Sequence, residues 1–227
     1  MGKNEKVMQS KIRLHQSHQP TTKRLLPTDA DDFFPTPAWA TLALLAEEEV
    51  IGDILEPACG DGDMARVLTA HGHTVVCSDL HPRVGHPGGD DFLNYPADGR
   101  RYANVITNPP FNQAERFVHA GLRVAEHKLA LLLRLAFLEG AARSASLFAV
   151  RPPTRVIVFS ERITFYPKAA ERKGSGTTAY GWFVWDQATP DAPTTIAWTR
   201  PGLKPNSRAH RHATSLHLTL VPAGAHP

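Results

Sequence analysis

Cysteine is nearly absent from this chain, long apolar runs are missing, and acidic residues stop altogether at Asp191. The only cysteines are Cys59 and Cys77, both inside apolar stretches, which is too few for a disulfide framework. Reduced thiols are expected, in the cytoplasm of a bacterium or a phage-infected host. Even an uninterrupted apolar run as long as any in the chain, Leu129 to Leu133, is far too short to span a bilayer, so no membrane partner is expected. The first residues carry Lys3, Lys6, Lys11 and Arg13 with no apolar segment, which argues against a secretory signal.

What is present suits one domain. At 227 residues, with 42% hydrophobic and 21% charged residues, the chain can bury the core of a single soluble α/β unit. Charge divides it further. Residues 1–30 hold six Lys/Arg against Glu5 and Asp29, the stretch after Asp191 keeps Arg200, Lys204, Arg208 and Arg211, and residues 31–191 hold 15 basic against 20 acidic side chains. The expected organisation is a flexible basic arm (1–30), a folded domain (31–200) and a flexible basic tail (201–227). Such ends either attract a polyanion or serve as solvated tails. His210, His212, His217 and His226 in the tail have no cysteine or carboxylate beside them, so no metal is expected.

Asn108-Pro109-Pro110-Phe111 is the most informative segment. It follows a short run, Arg101 to Thr107, in which Val105 and Ile106 read as a buried strand. Consecutive prolines lack N–H donors and fix φ, so the chain leaves the sheet here as a rigid turn. An amide carbonyl, a backbone carbonyl and an aromatic face can together hold a planar amine. A strand-end turn with a core phenylalanine is the plainer alternative.

Upstream, Val50 to Leu55 reads as a strand, Glu56-Pro57-Ala58-Cys59-Gly60-Asp61-Gly62-Asp63 as a turn, and Met64 to Ala70 as a helix. Strand, glycine-bearing turn and helix open a doubly wound nucleotide-binding sheet. The small residues let a ligand approach the backbone, but the spacing is not that of a dinucleotide clamp. Thr74 to Ser78 reads as a second strand ending at Asp79, where an acid would meet ribose hydroxyls. His81 to Gly89 is too rich in proline and glycine for a helix. Asp91-Phe92-Leu93 offers an acid for an exocyclic amine and apolar side chains for a purine. Before all of these, Phe33-Phe34-Pro35-Thr36-Pro37 leads into an amphipathic helix over Ala38–Glu49, with Thr36 expected as its N-cap.

With Glu56-Pro-Ala-Cys-Gly-Asp-Gly62 followed by Asn108-Pro-Pro-Phe111, the chain resembles the S-adenosylmethionine-dependent amino methyltransferases, specifically the DNA adenine-N6 methyltransferases of small phage and prophage type. The resemblance runs from about Asp32 to Trp198 and takes in Leu132–Gly140 and Ala179–Trp185. It implies a class I methyltransferase fold, Rossmann-like, with seven mostly parallel strands, the seventh antiparallel, and helices on both faces. Leu129–Ala136 would be the fifth strand, Arg155–Ser160 the sixth and Ala179–Asp186 the seventh, with Thr195–Trp198 as an edge addition. It implies cofactor contacts from Phe34, Thr36, Pro37, Glu56, Pro57, Ala58, Gly60, Gly62, Asp79, Leu80, Asp91, Phe92 and Asn108. It also implies a catalytic turn of Asn108, Pro109, Pro110 and Phe111. The methyl group of S-adenosylmethionine would pass to adenine N6, leaving S-adenosylhomocysteine. No metal takes part.

DNA is the substrate this resemblance points to. Related motifs also occur in enzymes that methylate RNA at adenine N6 or guanine N2, and a non-catalytic nucleic-acid-binding relative would keep the same fold. No segment is long enough for a separate target-recognition domain. Lys168, Arg172 and Lys173, between the sixth and seventh strands, read either as contacts to a phosphate backbone or as a solvated linker. Phe137, Glu139 and Arg143 read as structural, and Tyr180, Trp182 and Trp185 as strand packing.

Overall fold

The computed structural model describes residues 34–82, 88–95, 99–165 and 178–205. The N-terminal arm, Phe33, the basic triad Lys168, Arg172 and Lys173, and the histidine-bearing tail lie outside the described residues. Among the described residues, seven strands form a single mixed sheet: β1 (Ile54–Glu56), β2 (Val75–Cys77), β3 (Tyr102–Thr107), β4 (Ala125–Arg134), β5 (Arg155–Val158), β6 (Tyr180–Asp186) and β7 (Thr195–Trp198). Their spatial order is β2-β1-β3-β4-β6-β5-β7. Only β6 runs against the rest, paired with β4 from Lys128↔Asp186 to Arg134↔Tyr180 and with β5 along its other edge.

The sheet is buried on both faces, which is why its central strands read as continuous apolar runs. Alternate side chains go to opposite cores. Leu129, Leu131 and Leu133 of β4, with Phe183 and Trp185 of β6, pack beneath helix α3 (Ala114–Val124). Ala130, Leu132, Trp182 and Val184 face α1 (Ala38–Glu47) and α2 (Asp63–Ala70). Both buried tryptophans of β6 find a partner for the indole N–H, which burial otherwise leaves unpaired. Trp182 donates to the Ala40 carbonyl at 2.8 Å and Trp185 to that of Arg151 at 3.0 Å. Helix α3 approaches β4 so closely at Gly121 that a Cβ there would lie 2.4 Å from a Leu129 methyl.

The strand expected over Ala179–Asp186 is β6, antiparallel as expected. It comes sixth in chain order among the described residues, because a 3-10 turn (Phe92–Asn94) stands between β2 and β3 where a further strand would lie. The edge strand β7, parallel to β5, makes up the count of seven.

Three local expectations are corrected. Helix α1 ends at Glu47, not Glu49, and begins after Pro37, whose extended backbone caps it. Thr36 is not the N-cap, since its hydroxyl is turned to Asn108 instead. Strand β1 starts at Ile54, not Val50, because Gly52 sits at φ 89° and turns the chain just before it. At its far end α1 is anchored by Glu48, which accepts from Lys128 at 2.8 Å and from Arg155 at 3.0 Å. That anchorage fixes the helix whose approach carries Phe34 and Thr36 toward β3.

Candidate active site

The predicted residues converge at the carboxyl ends of β1, β2 and β3, the side on which open α/β sheets bind ligands. After β1 the chain makes a tight turn in which Gly60 and Gly62 adopt φ of 54° and 76°. Side chains with a Cβ rarely take that conformation. The turn is tied to the end of β2: Cys59 N–H donates to the Ser78 carbonyl at 3.0 Å, and Gly60 N–H to Asp79 Oδ2 at 2.8 Å. The other oxygen of Asp79 accepts the N–H of His81 at 2.9 Å. Asp79 therefore braces two loops, a task the sequence did not announce. Its neighbour Leu80 is 51% exposed and presents an apolar surface beside the turn, while Pro57 is buried and Ala58 half-buried.

Glu56 closes β1 at 2% exposure, and its Oε2 has no hydrogen-bond partner among the described residues. Burial pushes this carboxyl well above its ordinary value, with Cys77, Asp63 and Asp79 adding to the rise, while the N–H of Ala65 acts against it. An orphaned, buried carboxyl oxygen among acids is an unfavourable arrangement in isolation. A cationic ligand would relieve it.

Asp91 and Phe92 take up other duties. The Asp91 carboxylate accepts from Leu93 N–H at 3.0 Å and from Asn94 Nδ2 at 2.7 Å, capping its own turn. Phe92 is 3% exposed, its ring 5.3 Å from that of Phe117. The ring expected to face a purine packs into the core here. Phe92 is the floor under the loop, and the half-buried Leu93 is the apolar side chain left nearer the surface.

Asn108 is held from a distance in sequence. Its Nδ2 donates to Thr36 Oγ1 at 3.1 Å and reaches the Phe34 carbonyl at 3.4 Å. A carbonyl can only accept, so the amide must present its NH2 there, and the orientation is fixed by chemistry. Oδ1 is left facing the other way, buried and without a partner among the described residues. Pro110 spends its carbonyl on Gln113 N–H at 2.9 Å, whereas no backbone N–H reaches that of the buried Pro109 among the described residues. The plain turn with a core phenylalanine is not what forms. Phe111 is half-buried at the start of a 3-10 turn, its ring centroid 5.5 Å from Tyr180 and 6.1 Å from Phe165. Phe165 in turn lies 4.9 Å from Tyr180 and 6.1 Å from Phe34. The Arg134 guanidinium covers the Phe111 ring at 4.6 Å.

Sequence reasoning missed Arg134, Phe165 and Tyr180 as members of this cluster. Tyr180 was expected to be strand packing like Trp182 and Trp185, which are fully buried. The register pairs Arg134 with Tyr180 at the end of β4, next to the end of β3, so both belong to the site's rim. Arg143 is structural as expected: its Nη1 donates to the carbonyls of Phe137 and Glu139, each at 2.7 Å. No helix of the described residues is long and apolar enough to cross a membrane. Among those residues there is no cluster of His, Cys, Asp or Glu arranged for a metal ion.

No family model and no curated protein sequence matches the chain. Solved structures do. A modification subunit of a candidate type I restriction enzyme from Vibrio vulnificus superposes with a TM-score of 0.52 at 13% identity, over 87% of this chain. The chain spans only 55% of that subunit's length. A candidate RNA methyltransferase from Pyrococcus horikoshii gives 0.50 at 14% identity, over 71% of this chain and 88% of its own. A Streptococcus thermophilus protein described as a candidate hemolysin also gives 0.50, at 11% identity, over 82% of this chain and 77% of its own. The neighbours' descriptions differ, and what they share with this chain is architecture: the described residues have the class I methyltransferase fold.

Proposed function

We propose that the protein transfers a methyl group from S-adenosylmethionine to the N6 amino group of adenine in DNA. The observation that carries this reading is Asn108, whose NH2 is tethered to Phe34 and Thr36 while its Oδ1 remains buried and unpaired among the described residues. Leaving such an acceptor unsatisfied costs roughly 1–3 kcal/mol. A donor supplied by a bound amine would remove that cost.

The cofactor fits the acids and glycines of the turn. S-adenosylmethionine carries positive charge at its sulfonium and amino groups. Glu56 offers an orphaned oxygen, Gly60 and Gly62 keep the backbone open, and Leu80 offers an apolar surface. Glu56, Gly60, Gly62, Asp79 and Leu80 are the residues assigned to hold it. When bound, the cofactor supplies an electrophilic methyl group.

The chain's own contribution is to the acceptor. An exocyclic adenine nitrogen is a weak nucleophile because its lone pair is delocalised into the ring. Asn108 Oδ1 and the Pro109 carbonyl would each accept one N6–H bond, drawing the nitrogen toward tetrahedral geometry. The positive charge that develops on nitrogen then meets fixed carbonyl dipoles, which need no reorganisation. Positioning supplies the remainder; the methylated nitrogen, cationic after transfer and strongly acidic, gives up its extra proton to water, so no general base is required. In a duplex the target must leave the stack to reach this turn, where Phe111 and its aromatic neighbours offer ring surface.

The test is transfer of labelled methyl to duplex DNA, single-stranded DNA and RNA in parallel, followed by digestion to nucleosides. N6-methyladenine from DNA is the expected product. Label recovered only in RNA nucleosides would move the substrate to RNA with the same residues in the same roles. No label in any of the three would overturn the reading.

A further inference from the structure

Beside the Phe111 turn lies a second, smaller feature that the methyl-transfer chemistry does not use. A cavity of about 260 Å³ is lined by Phe111, Asn112, Leu133, Arg134, Phe137 and Arg143, among others. It shares Phe111 with the candidate amine site, so anything bound in it is contiguous with whatever occupies that site. Its size is below the roughly 300–1,000 Å³ typical of drug-sized ligand sites, and suits one small charged group with its attachment.

The two arginines in its wall differ in how they are held. Arg143 is committed: its Nη1 serves two backbone carbonyls, its Nε stands 3.6 Å from Glu115 Oε2, and its guanidinium lies 4.3 Å above the Phe137 ring. Arg134 has no carboxylate within ion-pair reach among the described residues, and its side chain is exposed. Its one ring contact is with Phe111, at 4.6 Å. A guanidinium laid over an aromatic face is oriented by that face, while its in-plane N–H donors stay directed outward. The backbone beneath it is rigid, because Arg134 closes the β4–β6 ladder opposite Tyr180. A pre-oriented, unneutralised guanidinium at the mouth of a small cavity is built for a bidentate oxyanion.

We propose that Arg134 and this cavity bind a backbone phosphate of the substrate strand, adjacent to the target nucleotide, with the Asn112 side chain as a neutral partner. Arg134 is thus a positioning residue: it sets the strand so that the neighbouring base meets Phe111 and Asn108. The proposal rests on reading the site as one for nucleic acid, and it adds which residue anchors the strand. Arg134 is the candidate whose guanidinium lies over the Phe111 ring, and Lys168, Arg172 and Lys173 are not needed for it.

The experiment measures equilibrium binding of a fluorescently labelled, adenine-containing oligonucleotide to the full chain saturated with S-adenosylhomocysteine, across a salt series. Arg134→Ala, Arg134→Gln and Arg134→Lys are compared with wild type, and cofactor binding is measured separately. Arg134→Ala and Arg134→Gln are expected to weaken oligonucleotide binding about tenfold, the worth of one charge-assisted hydrogen bond. The slope of log K against log salt is expected to fall by about one. Arg134→Lys is expected to keep the slope while losing part of the affinity, since an ammonium neutralises a phosphate without bidentate geometry. Cofactor affinity is expected to be unchanged in all three. Methyl transfer, where present, is expected to show a raised KM with kcat retained. Wild-type affinity and slope in Arg134→Ala, or a wild-type protein that binds no oligonucleotide, overturns the proposal. Oligonucleotide binding that depends on Arg134 without any methyl transfer leaves the anchor standing and removes only the reaction.

Discussion

Asn108 and Thr36, which lie 72 positions apart, are joined side chain to side chain by a hydrogen bond of 3.1 Å from the amide to the hydroxyl. This bond decides which way the amide faces. With NH2 committed to Thr36 and Phe34, the oxygen is the atom left for a ligand. Asn108→Ala removes that acceptor and is expected to lower kcat/KM for methyl transfer by a hundredfold or more, about 3 kcal/mol of lost transition-state stabilisation. Asn108→Asp is expected not to rescue it, because its second oxygen would oppose the Phe34 carbonyl. Single-turnover transfer assays on variants of native circular dichroism check both, and near-wild-type transfer by Asn108→Ala would refute the mechanism.

Thr36 touches the amine site through Asn108, so its loss should be milder and selective. Thr36→Val keeps the shape and removes the hydroxyl, leaving Asn108 with the longer contact to Phe34. A net hydrogen bond is worth about 1 kcal/mol, so kcat is expected to fall roughly five- to tenfold. The melting temperature should move by no more than about 2–4 °C in a chain of this size. Thr36→Ser, which restores the hydroxyl, is expected to recover most of the rate. An unchanged kcat in Thr36→Val would mean that the orientation of Asn108 is set elsewhere.

The division between what the sequence disclosed and what it hid follows physical lines. Local chemistry was legible. Prolines 109 and 110 ended β3, the glycines opened the turn after β1, Val105 and Ile106 marked β3, and the family resemblance located β4 and β6. Long-range pairing was not. Thr36 looks like a helix cap from its neighbours alone, and only the packing of α1 against the sheet brings its hydroxyl to Asn108. Tyr180 shares a strand with two core tryptophans, and the β4–β6 register alone puts it beside Phe111. Phe92 reads as a ligand platform because an acid precedes it, yet its ring is drawn into the core by Phe117. Side-chain direction at the ends of strands depends on neighbours that sequence spacing does not name.

Glu56 should make stability depend on pH in a direction opposite to that of most carboxylates. Its pKa is raised above the ordinary value of 4.5, chiefly by burial. The folded state therefore holds a proton that the unfolded chain releases above that value. Stability is full at lower pH and declines as pH rises through the window above 4.5 toward the raised value. Glu56→Gln removes the titration. Measured without ligand by urea denaturation at pH 5 and pH 7, the stability of Glu56→Gln relative to wild type is expected to rise with pH by about 1.4 kcal/mol per unit inside that window. A difference that does not change with pH would show that Glu56 is ionised in the fold.

Cys59 and Cys77 form a thiol pair on adjoining segments at the same turn, and they are expected to react unequally. Contact between the two thiols holds Cys77 down at about 7 against the opposing effect of burial, and the Cys59 thiol also lies within 3.7 Å of the Gly60 carbonyl. The same thiol contact, with desolvation and the nearby acids Glu56 and Asp79, pushes Cys59 upward. The thiolate is the nucleophile in alkylation, so half-buried Cys77 should label first. Iodoacetamide labelling followed by peptide mass analysis is expected to modify Cys77 with a midpoint near pH 7. Cys59→Ala, which removes the donor, should shift that midpoint upward toward the ordinary 9.0, whereas Cys59→Ser, whose hydroxyl can still donate, should shift it less. Preferential labelling of Cys59, or a Cys77 midpoint indifferent to Cys59→Ala, would show that the two sulfurs do not share a proton.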